Sequence, residues 1–233
     1  MDGVLNIDKS KGLTSNDVVK RVKRILCIKK AGHTGTLDPE ATGVLPVLVG
    51  KATKISQYLI NSDKEYSCKM ELGVKTDTGD SAGMVISRYS GTFPSEIEIC
   101  RTFKKFTGRI LQIPPMYSAI KVNGRPLYSL ARKGIEIERK AREVIIHNIE
   151  ILSINGNSIT FKVLCSKGTY IRTLVSDIGD ILGVGGYLVS LRRTIAGKFR
   201  IEDLIDIKEL EDSYKRGKIA RGFYTIEEAL ENV

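Results

Sequence analysis

Two short segments concentrate the side chains that could do chemistry. The first is Ala31-Gly32-His33-Thr34-Gly35-Thr36-Leu37-Asp38-Pro39-Glu40-Ala41-Thr42-Gly43. Pro39 biases the residue before it away from helical angles, so Asp38 sits on an extended or turn backbone. A carboxylate held there can face a cleft. A hydrogen-bonded turn, with Asp38 capping nearby amides, accounts for the same residues. The second is Cys165-Ser166-Lys167-Gly168-Thr169-Tyr170-Ile171-Arg172, where a β-rich run passes into a helical pattern. Arg172 could hold and orient a carboxylate there by a bidentate pair. It also fits the polar face of a surface helix.

Other chemistries find little support. Cys27, Cys68, Cys100 and Cys165 form no CxxC pair, and His33 and His147 lie far apart, so no metal site is expected. The four thiols read as buried and unpaired. Gly183-Val184-Gly185-Gly186 follows a helical pattern rather than a strand and lacks phosphate-loop spacing. It reads as a helix end and turn. There is no GxSxG elbow for a hydrolase triad.

Elements must position these segments. Residues 15–26 predict a helix, with Ser15 as cap, Asp17 in the first turn and Val18, Val22 and Ile25 on one face. Residues 95–107 predict a second, opened by a Ser95/Glu98 capping box and ended by Gly108. A third is expected from Thr169 to Leu182. Tyr66–Leu72 alternates as a half-buried strand. Val144–Leu152 and Ser158–Cys165 read as a hairpin about Asn155-Gly156-Asn157. Strands and helices do not alternate regularly, which points to a mixed α+β domain. Residues 117–142 are polar and basic, with turn signals at Asn123-Gly124 and Lys133-Gly134, and read as an excursion holding a short helix.

The chain has 233 residues, 42% hydrophobic and 27% charged, ordinary for a globular protein. Its longest apolar stretch, Val44–Val49, is too short for a membrane span, and the start shows no secretory pattern. The formal charge of +10 divides into +14 over residues 1–200 and −4 over 201–233. A basic body suggests a polyanionic partner.

Five blocks together resemble one family. Gly32-His33-Thr34-Gly35-Thr36-Leu37-Asp38-Pro39-Glu40-Ala41-Thr42-Gly43-Val44-Leu45 is similar to the catalytic motif of the bacterial TruB family of tRNA pseudouridine synthases. Gly3 to Ser15, Asp63-Lys64-Glu65-Tyr66, Gln112 to Ala119 and Ser166 to Arg172 resemble its other motifs, in family order. Ser10 departs from the pattern, which usually has proline there. The resemblance implies a pseudouridine synthase fold, with a mixed, mostly antiparallel central sheet flanked by helices and a basic RNA-clamping insertion. It implies isomerisation of uridine 55 in the T-arm of tRNA, with no metal and no cofactor.

Site residues follow from the same resemblance. Asp38 matches the nucleophile. Arg172 matches the arginine that pairs with it, and Tyr66 the catalytic tyrosine that stacks on the uracil and acts as a base in proton transfer. Tyr170 and Leu191 match substrate contacts, and His33 a residue beside the flipped nucleotide. The insertion at 117–142 matches the clamp, so Lys121, Arg125, Arg132, Lys133 and Arg142 are expected on phosphates, with Lys9 as a further RNA contact. Residues 1–233 are expected to form one catalytic domain with an acidic segment at 201–233. The family's C-terminal PUA-type domain is expected to be missing. A cytoplasmic monomer whose partner is the tRNA T-stem-loop is expected. Two other readings share these residues: a non-catalytic tRNA-binding or folding module, and an RNA-guided pseudouridine synthase of the archaeal–eukaryotic type.

Overall fold

The computed structural model describes residues 1–122, 124–218 and 220–231. Asn123 of the expected Asn123-Gly124 turn lies outside the described residues. The chain divides into two compact units, one made of Met1–Ser67 and the chain from Leu191 onward, the other of Cys68–Ser190.

The first unit begins with β1 (Gly3–Lys9), α1 (Ser15–Ile25), β2 (Ala31–His33), β3 (Thr42–Val49), α2 (Ser56–Leu59) and the start of β4 (Lys64–Leu72). The cap of α1 is Thr14 rather than Ser15. Thr14 Oγ1 accepts from the Asp17 amide at 3.1 Å, and the Asp17 carboxylate takes the Thr14 amide in return. Ser15 is displaced from that role because its hydroxyl turns inward. Val18, Val19 and Val22 form the buried face of α1. β3 has seven buried residues in eight, the pattern of a strand covered on both faces.

The second unit holds β5 (Val74–Thr76), β6 (Val85–Arg88), α3 (Glu96–Lys104), β7 (Gly108–Gln112), β8 (Lys121–Val122), β9 (Arg125–Pro126), α4 (Leu127–Ala131), β10 (Arg142–Asn155), β11 (Ser158–Cys165), α5 (Ile171–Ile181) and the first part of β12 (Gly186–Ala196). The capping box of α3 is the expected Ser95/Glu98 pair. The helix stops at Lys104, before the expected 107, and Gly108 at φ +98° opens β7 instead. The β10–β11 hairpin turns through Gly156 and Asn157, with Asn155 opposite Ser158. β10 runs further at both ends than expected, because its early residues also pair with β7 and its last ones continue the ladder with β11 to the turn. Strand order in this unit is β4-β11-β10-β7. Gly183 and Gly185 form the turn after α5, with the Gly185 amide donating to Gly179 O at 2.9 Å.

The chain then returns to the first unit with β13 (Phe199–Arg200), α6 (Ile207–Lys215), β14 (Phe223–Tyr224) and α7 (Ile226–Leu230). Strand order here is β14-β1-β3-β12. β1 and β3 are antiparallel from Gly3↔Val49 to Lys9↔Gly43. β12 joins β3 in parallel at Arg192↔Thr42 and Arg193↔Gly43. Val4, Val44, Leu48, Ala196 and Phe199 belong to the core that holds these strands. The sheets are mixed and mostly antiparallel with helices against them, as the sequence leads one to expect. Among the described residues no helix is long and apolar enough to cross a membrane.

Candidate functional site

In the first unit the Asp38 motif is a loop from the end of β2 to the start of β3. Its backbone is pinned from three other elements. Ser15 on α1 donates its hydroxyl to Leu37 O at 3.1 Å and accepts the Leu37 amide at 2.8 Å. Lys9 at the end of β1 donates to Leu13 O at 2.6 Å, Ser10 O at 3.0 Å and Pro39 O at 3.1 Å. Arg193 on β12 donates from Nε to Val44 O at 2.7 Å and from Nη2 to Gly35 O at 3.2 Å. Asp38 itself is half-buried, and its carbonyl accepts the Ala41 amide at 3.1 Å. Gly43 sits at φ +97°, and a Cβ there would lie 2.3 Å from Arg193 O. Only glycine permits this close approach of β3 to β12.

The two cations that pin this loop are internal. Lys9 is 0% exposed and Arg193 is 1% exposed. Burial pushes the Lys9 ammonium down to about 8, against the opposing pull of Asp38 and Glu40. The expected RNA contact by Lys9 is therefore corrected, because its three N–H donors are spent on main-chain carbonyls inside the protein. His33 is half-buried on β2, opposite Val47. Burial first, then the Arg193 cation, lowers its pKa, so the imidazole is neutral near pH 7. Its Nδ1 is buried with no hydrogen-bond partner among the described residues.

Tyr66 lies on the buried face of β4 at 9% exposure. The start of that strand is anchored by Thr194 Oγ1, which donates to Glu65 Oε1 at 2.7 Å, and by Lys64 Nζ, which donates to Ile60 O at 2.8 Å and also to Ser62 O. Leu191 is half-buried on β12, ahead of Arg192 and Arg193. Arg192 makes a forked pair with Asp8, with Nη1–Oδ1 at 3.2 Å and Nη2–Oδ2 at 2.8 Å.

In the second unit Arg172 lies in the first turn of α5 at 5% exposure. It is not on a solvated face. Nη1 donates to Thr78 O at 2.9 Å, Nη2 to Tyr117 O at 2.7 Å, and Nε lies 3.6 Å from Asp80 Oδ2. The loop after β5 that supplies Thr78 and Asp80 is itself held to β12, since the Leu188 amide donates to Gly79 O at 3.0 Å. Tyr170 is half-buried and caps α5 with its backbone. The buried Gln112 amide closes that cap, accepting the Tyr170 amide at 3.0 Å and donating to its carbonyl at 3.3 Å.

The insertion contains β8, β9 and α4. Lys121, Arg125, Arg132, Lys133 and Arg142 are all exposed. The Arg132 guanidinium sits 5.6 Å from the Tyr128 ring centroid, a cation–π arrangement that stiffens it. Among the described residues no cluster of His, Cys, Asp and Glu could hold a metal ion.

Sequence reasoning gives no site role to Arg193, Asp80, Ser15 or Lys64. Asp80 stands in Thr76-Asp77-Thr78-Gly79-Asp80, a segment whose dense turn chemistry was a usable signal. Arg193 gives none, because an arginine in a strand looks like a surface residue.

Residues 23–171 match the family model "TruB family pseudouridylate synthase (N terminal domain)". The chain belongs to the TruB family. Residues 172–231 match a second model of this family, "tRNA pseudouridylate synthase B C-terminal domain", so Asp38 and Tyr66 fall in the first and Arg172 opens the second. A protein named tRNA pseudouridine synthase B from Francisella philomiragia is 50% identical over 221 residues, covering 94% of this chain and 73% of its own. Proteins of the same name from Aromatoleum aromaticum and Clostridium tetani are 49% and 50% identical, covering 91% of this chain and 68% and 73% of theirs. Among solved structures, a Cbf5–Nop10–Gar1 complex matches with a TM-score of 0.78 and 37% identity, over 98% of this TruB-family chain and 61% of the other. An H/ACA ribonucleoprotein bound to a substrate RNA containing 2′-deoxyuridine matches at 0.74 and 34%, over 98% and 61%.

Proposed function

We propose that this chain isomerises uridine 55 in the T-arm of tRNA to pseudouridine, with Asp38 as nucleophile. The observation that carries this reading is the near 50% identity to proteins named tRNA pseudouridine synthase B, across a segment containing the Asp38 loop. The ribonucleoprotein relatives are less similar, at 34–37% identity, which favours the tRNA enzyme over an RNA-guided one. The chain carries Asp38, Tyr66 and Arg172, which a binding module does not need.

The chemistry is balanced within one nucleotide. The bond from uracil N1 to ribose C1′ breaks, the base turns, and C5 bonds to C1′. The proton on C5 is lost to solvent and N1 takes one up. The target base must first leave its stack. Each residue has a role suited to its setting. Asp38 is held by its backbone on a pinned loop, and preorganisation of that kind favours attack. A neutral His33 suits a wedge in the gap left by the base better than a proton donor. Tyr66 offers a ring for the extruded uracil, with Tyr170 and Leu191 as further substrate contacts. Arg172, held rigidly by two carbonyls and Asp80, supplies the fixed guanidinium of the catalytic set. Lys121, Arg125, Arg132, Lys133 and Arg142 contact phosphates.

The test is tritium release from tRNA labelled at uracil C5, comparing the wild-type protein with Asp38→Ala. Release by the wild type and none by the variant is expected. Equal release by both removes Asp38 from the mechanism, and none by the wild type favours the binding module.

A further inference from the structure

Arg193 is buried to 1% exposure, and among the described residues it has no carboxylate partner. Its acceptors are two carbonyls on opposite sides of Asp38, Gly35 before it and Val44 after it. Burying a guanidinium without an ion pair is costly, and packing alone would be served better by an apolar side chain. The fork geometry of arginine allows one rigid group to hold two acceptors at once. The Arg193 backbone also faces Gly43, where no Cβ fits. Both side chain and backbone of this residue therefore fix where the motif begins and ends.

We propose that Arg193 is a positioning residue for the reaction: its guanidinium ties Gly35 to Val44, closing the loop so that Asp38 is presented in one fixed conformation. This deepens the proposed function and rests on Asp38 being the nucleophile. Arg193 makes no claim on the substrate. The loop's amide bonds from Thr34 to Pro46 O (3.1 Å) and from Leu37 to Ser15 Oγ (2.8 Å) are the local reporters of its closure.

The experiment uses the whole chain with Arg193→Met, which keeps length without the fork, and Arg193→Lys, which keeps charge and one bond. Two quantities are read: hydrogen exchange at the Thr34 and Leu37 amides, and turnover on tRNA alongside its Kd. For Arg193→Met, exchange at both amides is expected to speed up about tenfold or more. Its kcat should fall by about 10- to 100-fold while Kd stays within about twofold. Arg193→Lys should lie between it and the wild type. Wild-type exchange at both amides in a folded variant overturns the proposal, as does a Kd weakened in proportion to kcat, which would mark a substrate contact. If Arg193→Met does not fold, Arg193→Lys carries the same two outcomes. Retained activity in Asp38→Ala would instead overturn the nucleophile reading, while the exchange data still report on the loop.

Discussion

Replacing Lys9 with Met should remove a specific part of the protein's alkaline stability. Burial lowers the Lys9 ammonium from 10.5 to about 8 in the folded protein. Between those values the unfolded chain holds a proton that the folded chain has released, so stability rises with pH through this window. Below about pH 8 both states are protonated, and the full cost of burying the charge is present. From those two values, the gain between about pH 7 and about pH 9.5 is about 2 kcal/mol. Other groups also titrate in this range, so the wild type alone does not isolate the effect. The difference between wild type and Lys9→Met does, because groups common to both proteins cancel in it. At neutral pH the substitution has opposing effects. It removes a buried cation but strips the donor from Ser10 O, Leu13 O and Pro39 O. The decisive quantity is thus a double difference, from urea unfolding of both proteins at the two pH values. Wild-type stability should gain about 2 kcal/mol more than the variant. Parallel pH dependence in the two proteins would refute the buried-ammonium argument and return Lys9 to the surface.

Asp80→Asn removes the charge 3.6 Å from Arg172 Nε but leaves the bonds to Thr78 O and Tyr117 O. Tritium release should fall by about 10- to 100-fold with tRNA Kd within about twofold, because the guanidinium is retained but less well oriented; unchanged release would make Asp80 a bystander. Arg132→Ala should weaken tRNA binding at low salt and reduce the slope of log K against log salt by about one. An unchanged slope would place Arg132 on solvent rather than phosphate.

Local structure was legible wherever a residue's near neighbours decide its state. The Ser95/Glu98 box acts over four residues and is found as read, and the Asn155-Gly156-Asn157 turn is found as a hairpin turn through Gly156 and Asn157, with Asn155 ending β10. The cap of α1 shows the limit. Ser15 is the better cap by type, and what selects Thr14 is a partner for Ser15 at Leu37, 22 residues away. β3 was read only as an apolar run, since periodicity is lost when both faces of a strand are buried. Its parallel pairing with β12 joins Gly43 to Arg193, and no local pattern encodes a pairing at that separation.

The candidate site divides in the same way, and the division bears on the use made of net charge. Asp38, Tyr66 and Arg172 were visible because their motifs name side chains. The partners of Lys9, Arg193 and Arg172 include main-chain carbonyls, which every residue possesses and no sequence position advertises. A buried lysine and a phosphate-binding lysine are therefore identical in composition. The body's charge of +14 counts Lys9, Lys64, Arg172 and Arg193, all of which are buried. Those four charges hold the protein's own backbone and cannot be spent on counterion release, which requires a cation within reach of a phosphate. Affinity for RNA should follow the exposed set on the insertion, Lys121 to Arg142, while the internal set governs whether bound RNA is turned over. Salt dependence and turnover are thus expected to respond to different lysines and arginines, although a net-charge count treats them all alike.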